Sequence, residues 1–434
     1  MNRKEFKFPM TGSMYASVAG LRAHMQKLSV IGNNVANVNT QGYKKQRTVF
    51  RDSVYSMYSS GGNGTETVGG MNPSQIGYGS MVGSIDLNMS SSSYNPGNPT
   101  DCALVGDGFF LVGDKDVRKS IDGSNPETFK ALTLTRVGDF EFGPDQYLTD
   151  GNGNVVYGFM VTGYDAVNKK PIVSDQLVPI RKPRWEKVPT QVPVENDDGT
   201  TTMVDDYKYE IRYATDKTGA AGADGGEKTV GRLEDSKKPQ HESNRIDAIT
   251  GEKTDDESKM ADLSFAEFSS ITINEVSGAI TGICREGGEM VTMGYLAIGS
   301  VTNPNGVTHI GDSYYQCREG AGDLNVFMLG GVGEELGKSA ASAGHWTNQI
   351  NGSMMATNPD AAPGDQDNPA PQYKEGTAIL GGDTEMLVGF LEGPNVDLAE
   401  EITELITTQR GYQANTRIIT VTDSMLEELV NMKR

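Results

Sequence analysis

Three cysteines, Cys102, Cys284 and Cys317, are too few and too scattered in 434 residues for a disulfide framework or a zinc site. Each reads as a small buried or half-buried apolar residue. The four histidines, His24, His241, His309 and His345, lie far apart and carry no metal-ligand spacing, so no metal is expected. No apolar run approaches transmembrane length, and the opening MNRKEFKFPM has basic residues but no hydrophobic stretch behind them. Neither membrane insertion nor the Sec route is indicated, which taken alone says cytoplasmic. Positive charge is in the minority. With 38 Lys and Arg against 58 Asp and Glu, a net charge of −20 argues against a nucleic-acid or anionic-membrane partner.

Catalytic patterns are missing as well. There is no Gly-x-Ser-x-Gly elbow and no His-Glu-x-x-His, so no catalytic residue and no cofactor-binding residue is assigned, and no cofactor is expected. Gly106 and Gly108 lack the third glycine and the following helix of a phosphate loop. Asp150, Asn152 and Asn154 have the alternate spacing that opens a calcium loop. Val155 then stands at the glycine position and Val161 at the bidentate glutamate position, so the pattern fails.

What is present starts with glycine, 53 residues of it without collagen periodicity, which indicates many turns and short strands. The chain exceeds what one core usually supports, so roughly two to four units are expected. The last forty residues, Asn395 to Arg434, contain no proline and repeat apolar residues at Leu398, Ile402, Leu405, Tyr412, Ile419, Leu426 and Val430. Ile406, Ile418 and Leu429 lie beside them. This spacing predicts an amphipathic helix of about ten turns. Asn395 or Asp397 caps it, and the acidic first turn suits the positive end of the helix dipole. A second helix is predicted over Ser13–Val35, with Met14, Val18, Leu21, Met25 and Leu28 on one face and His24 packed beside it. Each stripe needs another long helix, from this chain or from a neighbouring copy.

The first helix runs into GNNVANVNTQGYK, residues 32–44, whose asparagines and glycines tolerate left-handed backbone. Asn33 to Lys44 resembles the signature of bacterial flagellar rod and hook proteins, axial subunits whose terminal helices pack together in a polymer. The closing helix resembles that family along nearly its whole length, including Gln409, Arg410, Tyr412, Ala414 and Asn415. Pro394 stands where the family usually has serine, at little cost, because it precedes the cap. Asp101 to Val112, DCALVGDGFFLV, resembles the family's aspartate, alanine, Gly-x-Gly-Phe-Phe motif. Leu134 to Tyr157 resembles its first β-domain, with Gln146 in place of a usual glycine. Val301 to Gly320 resembles the returning segment, with Ser313 and Glu319 where asparagine and serine are usual.

The resemblance implies a mainly β fold with long terminal α-helices and nested, discontinuous domains. Residues 1–44 and 392–434 are expected to form a paired helical domain, and 45–100 an extended connecting segment. A first β-domain is expected from 101–160 and 301–391, with an outer β-domain, 161–300, inserted in it. Within the insert, 195–262 holds 18 acids and 10 bases and reads as a flexible surface excursion. Residues 333–376 read as a loop. The resemblance further implies self-assembly into a homopolymer, through Met14, Val18, Leu21, Leu28, Asn33, Asn34, Asn37, Leu398, Ile402, Leu405, Gln409, Tyr412, Asn415, Ile419 and Leu426. Expected partners are rod proteins, a hook cap, hook–filament junction proteins and the flagellar export apparatus. Export through the flagellum's own type III channel replaces the cytoplasmic expectation. Length favours the hook members over the shorter rod members. A distal rod protein and a secreted enzyme without a recognisable motif are the alternatives.

Overall fold

The computed structural model describes residues 10–64, 67, 69–90, 92–115, 132–164, 171–195, 201–217, 232–234, 236–322, 324–329 and 384–432. The expected loop at 333–376 and parts of the acidic stretch, 196–200, 218–231 and 235, lie outside the described residues. The chain divides into two compact units, one holding the residues up to Ser92 and from Gly393 onward, the other Ser93–Glu392.

The first unit is built on two helices, α1 (Met10–Ala36) and α2 (Leu398–Met432). Asp397 is the cap of α2: its Oδ1 accepts the backbone N–H of Ala399 at 2.8 Å and of Glu400 at 3.3 Å. Beyond α1 the chain turns through Gly42, whose φ of 66° is a left-handed conformation open to glycine. Strand Gln46–Asp52 then pairs antiparallel with Ser80–Leu87, and Tyr55–Ser59 with Ser74–Gly77. The first pair packs on α1. Gly79 permits this, because a Cβ there would lie 2.8 Å from the Ala16 carbonyl oxygen.

α1 and α2 pair with each other antiparallel. Asn34 meets Glu401, Lys27 meets Glu404, His24 lies over Gly411 and Gly20 lies against Asn415. The apolar stripe of α2 is only half-buried along Leu405, Tyr412, Ile419 and Leu426, and none of its residues is fully buried. The buried residues of that helix are Glu401, Thr408 and Thr422, opposite a face of α1 that buries Ser17, Ala23, Val30, Ile31 and Asn34. Small and short polar side chains let the two backbones approach, and their hydroxyls are satisfied along their own helices. Thr422 donates to the Ile418 carbonyl at 2.7 Å and Ser17 to the Ser13 carbonyl at 2.8 Å. Leu398, Ile402, Ile406 and Ile418 are 43, 46, 44 and 45% exposed.

The second unit is β. Its twelve-stranded sheet runs, in spatial order, through Phe268–Ile273, Ala279–Cys284, Met290–Val301, Val155–Tyr164, Phe109–Gly113, Thr133–Thr135, Tyr314–Gln316 and Thr308–Gly311, with the other four strands off that path. Strands from the segments expected as a first β-domain and as an insert therefore share hydrogen bonds: Val155–Tyr164 pairs with Met290–Val301, which also pairs with Phe109–Gly113. The apolar runs bury Leu104, Phe110, Val112, Leu296 and Ile298 completely, with Phe110 edge-on to Phe140 at 4.9 Å. All three cysteines are buried and outside any disulfide, and burial pushes the Cys102 thiol far above its ordinary range.

Within the acidic stretch the flexible-excursion expectation needs correcting. Arg184–Glu195 and Thr201–Arg212 form a regular hairpin of twelve register pairs, stiffened by Trp185 against Tyr209 at 5.1 Å. Glu186 at its base is buried and accepts the backbone N–H of Gln240 and of His241, each at 3.0 Å, and Arg212 Nε at 3.0 Å. These bonds hold its carboxyl below the usual range against the opposing effect of burial. Cross-strand partners supply the order that a missing apolar core does not.

Candidate assembly site

The turn after α1 and the start of α2 are locked by one buried side chain. Asn34 sits on the last turns of α1, 1% exposed, and uses both ends of its amide. Nδ2 donates to the Gln46 carbonyl at 2.9 Å and to Glu401 Oε2 at 3.1 Å. Oδ1 accepts the Gln46 N–H at 3.0 Å and the Tyr43 hydroxyl at 3.0 Å. Four bonds exhaust what an amide can make. Asn33 and Asn37 are local instead. Asn33 Nδ2 reaches the Tyr43 hydroxyl at 3.3 Å, and Asn37 bonds the Asn33 carbonyl at 2.9 Å and Asn33 Oδ1 at 3.1 Å.

Asn395 closes the same junction from the other side. Its Oδ1 accepts the Lys45 N–H at 2.6 Å, and its Nδ2 donates to the Asn88 carbonyl at 2.7 Å. Lys44, wholly buried, carries its amine to the Ser90 carbonyl at 3.0 Å, while Lys45 reaches Glu400 at 2.7 Å. Three segments distant in sequence, residues 33–46, 88–90 and 395–401, thus meet in one polar clasp. Burial raises the Glu401 carboxyl above its usual range, a shift that the Asn34 amide and the Lys45 charge only partly offset. Burial, with the Glu401 charge behind it, pushes the Tyr43 phenol up to about 12, so it stays a hydroxyl donor throughout the ordinary pH range.

The residues expected at subunit contacts separate into three groups. Asn34 is consumed inside the chain. Met14, Leu21, Leu28, Leu405, Tyr412, Asn415, Ile419 and Leu426 are half-buried at or beside the seam. Val18, Asn33, Leu398, Ile402 and Gln409 are exposed, and Asn37 is half-buried in the turn. Glu401, Asn395 and Lys44 were missed as site residues. Glu401 read only as part of an acidic first turn, and no local pattern announces a partner on a helix at the other end of the chain.

The β unit holds a second lock. Arg136 and Glu392, both with fully buried side chains, pair through Nε–Oε2 at 2.9 Å and Nη2–Oε1 at 3.2 Å. The remaining guanidinium donors reach the carbonyls of Leu104, Gly106 and Gly108 at 3.1, 2.9 and 2.7 Å. Gly106, at φ 92°, and Gly108 turn those carbonyls toward Arg136. This is what the Gly-x-Gly spacing does here. At the failed calcium pattern, the Tyr314 hydroxyl takes the centre of the loop, bonded to Asp150 Oδ2 at 2.5 Å and to the amides of Asn152 and Asn154 at 2.8 and 2.9 Å. Among the described residues no group of three or more His, Cys, Asp or Glu is placed to hold a metal ion.

A β-body with its own core, joined in one chain to a helix pair that leaves Leu398, Ile402, Ile406 and Ile418 exposed, is the design of a structural subunit. The family described as flagella basal body rod protein matches residues 14–44, and the one described as flagellar basal body rod FlgEFG protein C-terminal matches 387–432. These are the segments that build the helix pair and the clasp. The flagellar hook protein FlgE of Borreliella burgdorferi is 30% identical over 98% of this chain and 100% of its own length. FlgE of Escherichia coli is 26% identical over 96 and 99%, and the basal-body rod protein FlgG of Bacillus subtilis is 27% identical over 98 and 100%. The chain belongs to the flagellar hook protein family, within the wider group of rod and hook proteins.

Proposed function

We propose that this chain is the structural subunit of a bacterial flagellar hook, polymerising into a curved, flexible tube that couples the motor's rod to the filament and transmits torque. The observation that carries the reading is the outward placement of Leu398, Ile402, Ile406 and Ile418 on a helix whose inner face is already occupied by polar and small residues. Leu398, Ile402 and Ile406, four residues apart along one exposed side of the helix, are apolar surface of the kind that marks a contact with another molecule. In the polymer, the helices of successive copies line the inside, joined through the half-buried and exposed residues from Met14 to Leu28 and from Leu398 to Leu426. The partners are further copies of the chain, then rod, cap and junction proteins at the ends of the tube, with the export apparatus delivering the subunit outside the cell by a route that needs no Sec signal. The protein acts as a structural element and not as an enzyme.

A distal rod subunit is the second reading, favoured by the end-to-end match to a FlgG protein. Electron microscopy of the purified protein after a rise in salt or concentration separates the two. Curved tubes are expected from a hook subunit, straight rigid ones from a rod subunit, and persistent monomers would remove support from both.

A further inference from the structure

The hairpin of Arg184–Glu195 and Thr201–Arg212 is a two-stranded sheet, so each strand has an edge that its partner does not cover. Its register runs without a shift, and the backbone groups of each strand therefore point alternately toward the partner and away from it. The direction is settled at the base. The Trp185 N–H donates to the Ser264 carbonyl at 3.1 Å, and the Lys187 carbonyl accepts Nδ2 of Asn244, so the odd-numbered residues of the first strand face the open edge. Ser264, the bridge from Arg184 to Phe265 and the Asn244 amide cover that edge as far as Lys187. Beyond Lys187 the positions facing out are Pro189, Gln191 and Pro193. Both prolines are exposed and neither has an N–H, which leaves Gln191 as the one donor along that part of the edge.

Proline within a sheet is confined to positions of this kind, where its missing donor breaks no ladder of its own. The run 188–194, VPTQVPV, otherwise has the composition that adds readily to a foreign strand, with β-branched residues and no charge. On the other strand Met203, Asp205 and Tyr207 face out. There the Tyr207 N–H is taken by Asp206 Oδ1 at 2.8 Å, beside the exposed carboxylates of Asp205 and Asp206. We infer that Pro189 and Pro193 close the edge of the first strand to strand addition, and that the partner they exclude is the same strand of a second copy of this chain. Copies brought close together therefore meet at this hairpin through side chains and not through a shared ladder. The inference concerns the hairpin alone and does not rest on the hook reading.

The test is Pro189→Val with Pro193→Val in the full chain, in a background of Ile402→Asp that puts a charge on the exposed face of α2. The background chain is the reference. Sedimentation over a range of concentration is read together with amide exchange, and the reference is expected to remain a single chain throughout. The double variant is expected to pass into dimers as concentration rises, several-fold more than the reference, because one opened edge pairs once. Amides at positions 189, 191 and 193 should become protected in step with the mass. Protection of the Thr190 and Val192 amides, which face the partner strand, reports that the hairpin is intact. Pro193→Thr alone restores a single donor and gives the same reading in weaker form should the double variant disturb the hairpin. Variants that keep the hairpin and stay single chains at every concentration would overturn the inference. Dimers in which positions 189, 191 and 193 exchange freely would overturn it equally, and so would a reference chain that dimerises with its Gln191 amide protected.

Discussion

The two units bury opposite kinds of residue. The β unit closes over Leu104, Phe110, Leu296 and Ile298 and hides the Arg136–Glu392 ion pair among backbone carbonyls. The helical unit hides Glu401, Thr408 and Thr422 and leaves isoleucines at 402, 406 and 418 in water. Burial of apolar area is the main favourable term in folding, so the first arrangement is complete in itself and the second is not. Ile402, Ile406 and Ile418 are the apolar surface that the proposed assembly would cover.

The comparison breaks most sharply at Arg136. Arg136→Met should leave the Glu392 carboxylate buried without its cation and cost the β unit about 3–5 kcal/mol. Calorimetry should show the β transition falling by many degrees while the helical signal is unchanged. A small shift would mean that Glu392 finds water and that this core is less closed than its exposure implies.

The converse experiment sits on α2. Ile402→Asp should forfeit roughly 1.5–3 kcal/mol per copy in an assembled contact, with a further cost for the buried charge. In the isolated chain, where residue 402 already faces water, the effect should stay within about 0.5 kcal/mol. Folded, secreted, unassembled subunits are the expected phenotype. A purified monomer that melts several degrees lower would show that residue 402 belongs to the monomer's own core.

Acid should weaken the helical unit selectively through His24. Its ring lies over Gly411 and against Phe50 at 5.8 Å, and its Nδ1 is buried with no hydrogen-bond partner among the described residues. Burial, and then the Lys27 charge, lower its pKa from 6.5. The folded state therefore binds fewer protons than the unfolded one, and this contribution is present above 6.5 and lost as the pH falls through the lowered folded value. Glu401, whose pKa is raised, responds in the opposite sense, gaining stability as the pH falls through its own folded value. In a Glu401→Gln background, melting of the helices should fall with pH, and adding His24→Gln should flatten the profile. An unchanged profile would place the sensitivity elsewhere.

The smallest effect belongs to Lys27–Glu404, which bridges the two helices at 2.9 Å with the Glu404 side chain 45% exposed. Glu404→Gln should cost about 0.2–1 kcal/mol, less in high salt. A larger loss would mean that the seam depends on charge as much as on its small residues.

Local signals carried the elements whose causes are local. The three-and-four spacing from Leu398 onward, the Asp397 cap and the turn residues around Gly42 announced two terminal helices, and DCALVGDGFFLV announced buried strands. Gln146 and Ser313, marked as departures from glycine and asparagine, do carry positive φ, at 64 and 62°. Pairing partners far apart in the chain were beyond such signals. Nothing near Glu401 names Asn34, nothing near Arg136 names Glu392, and the return strand Thr201–Arg212 of the hairpin was hidden by its charge because its order comes from cross-strand partners.

The sequence by itself determined the two terminal helices, and that they are two-faced, because periodicity and capping are properties of adjacent residues. Only the tertiary structure decided which face turns inward. A helix has two ways to satisfy its neighbours, and periodicity cannot rank them. Close approach at Gly20 and Gly411 and the Asn34–Glu401 bond put Glu401, Thr408 and Thr422 inside and leave Ile402, Ile406 and Ile418 exposed.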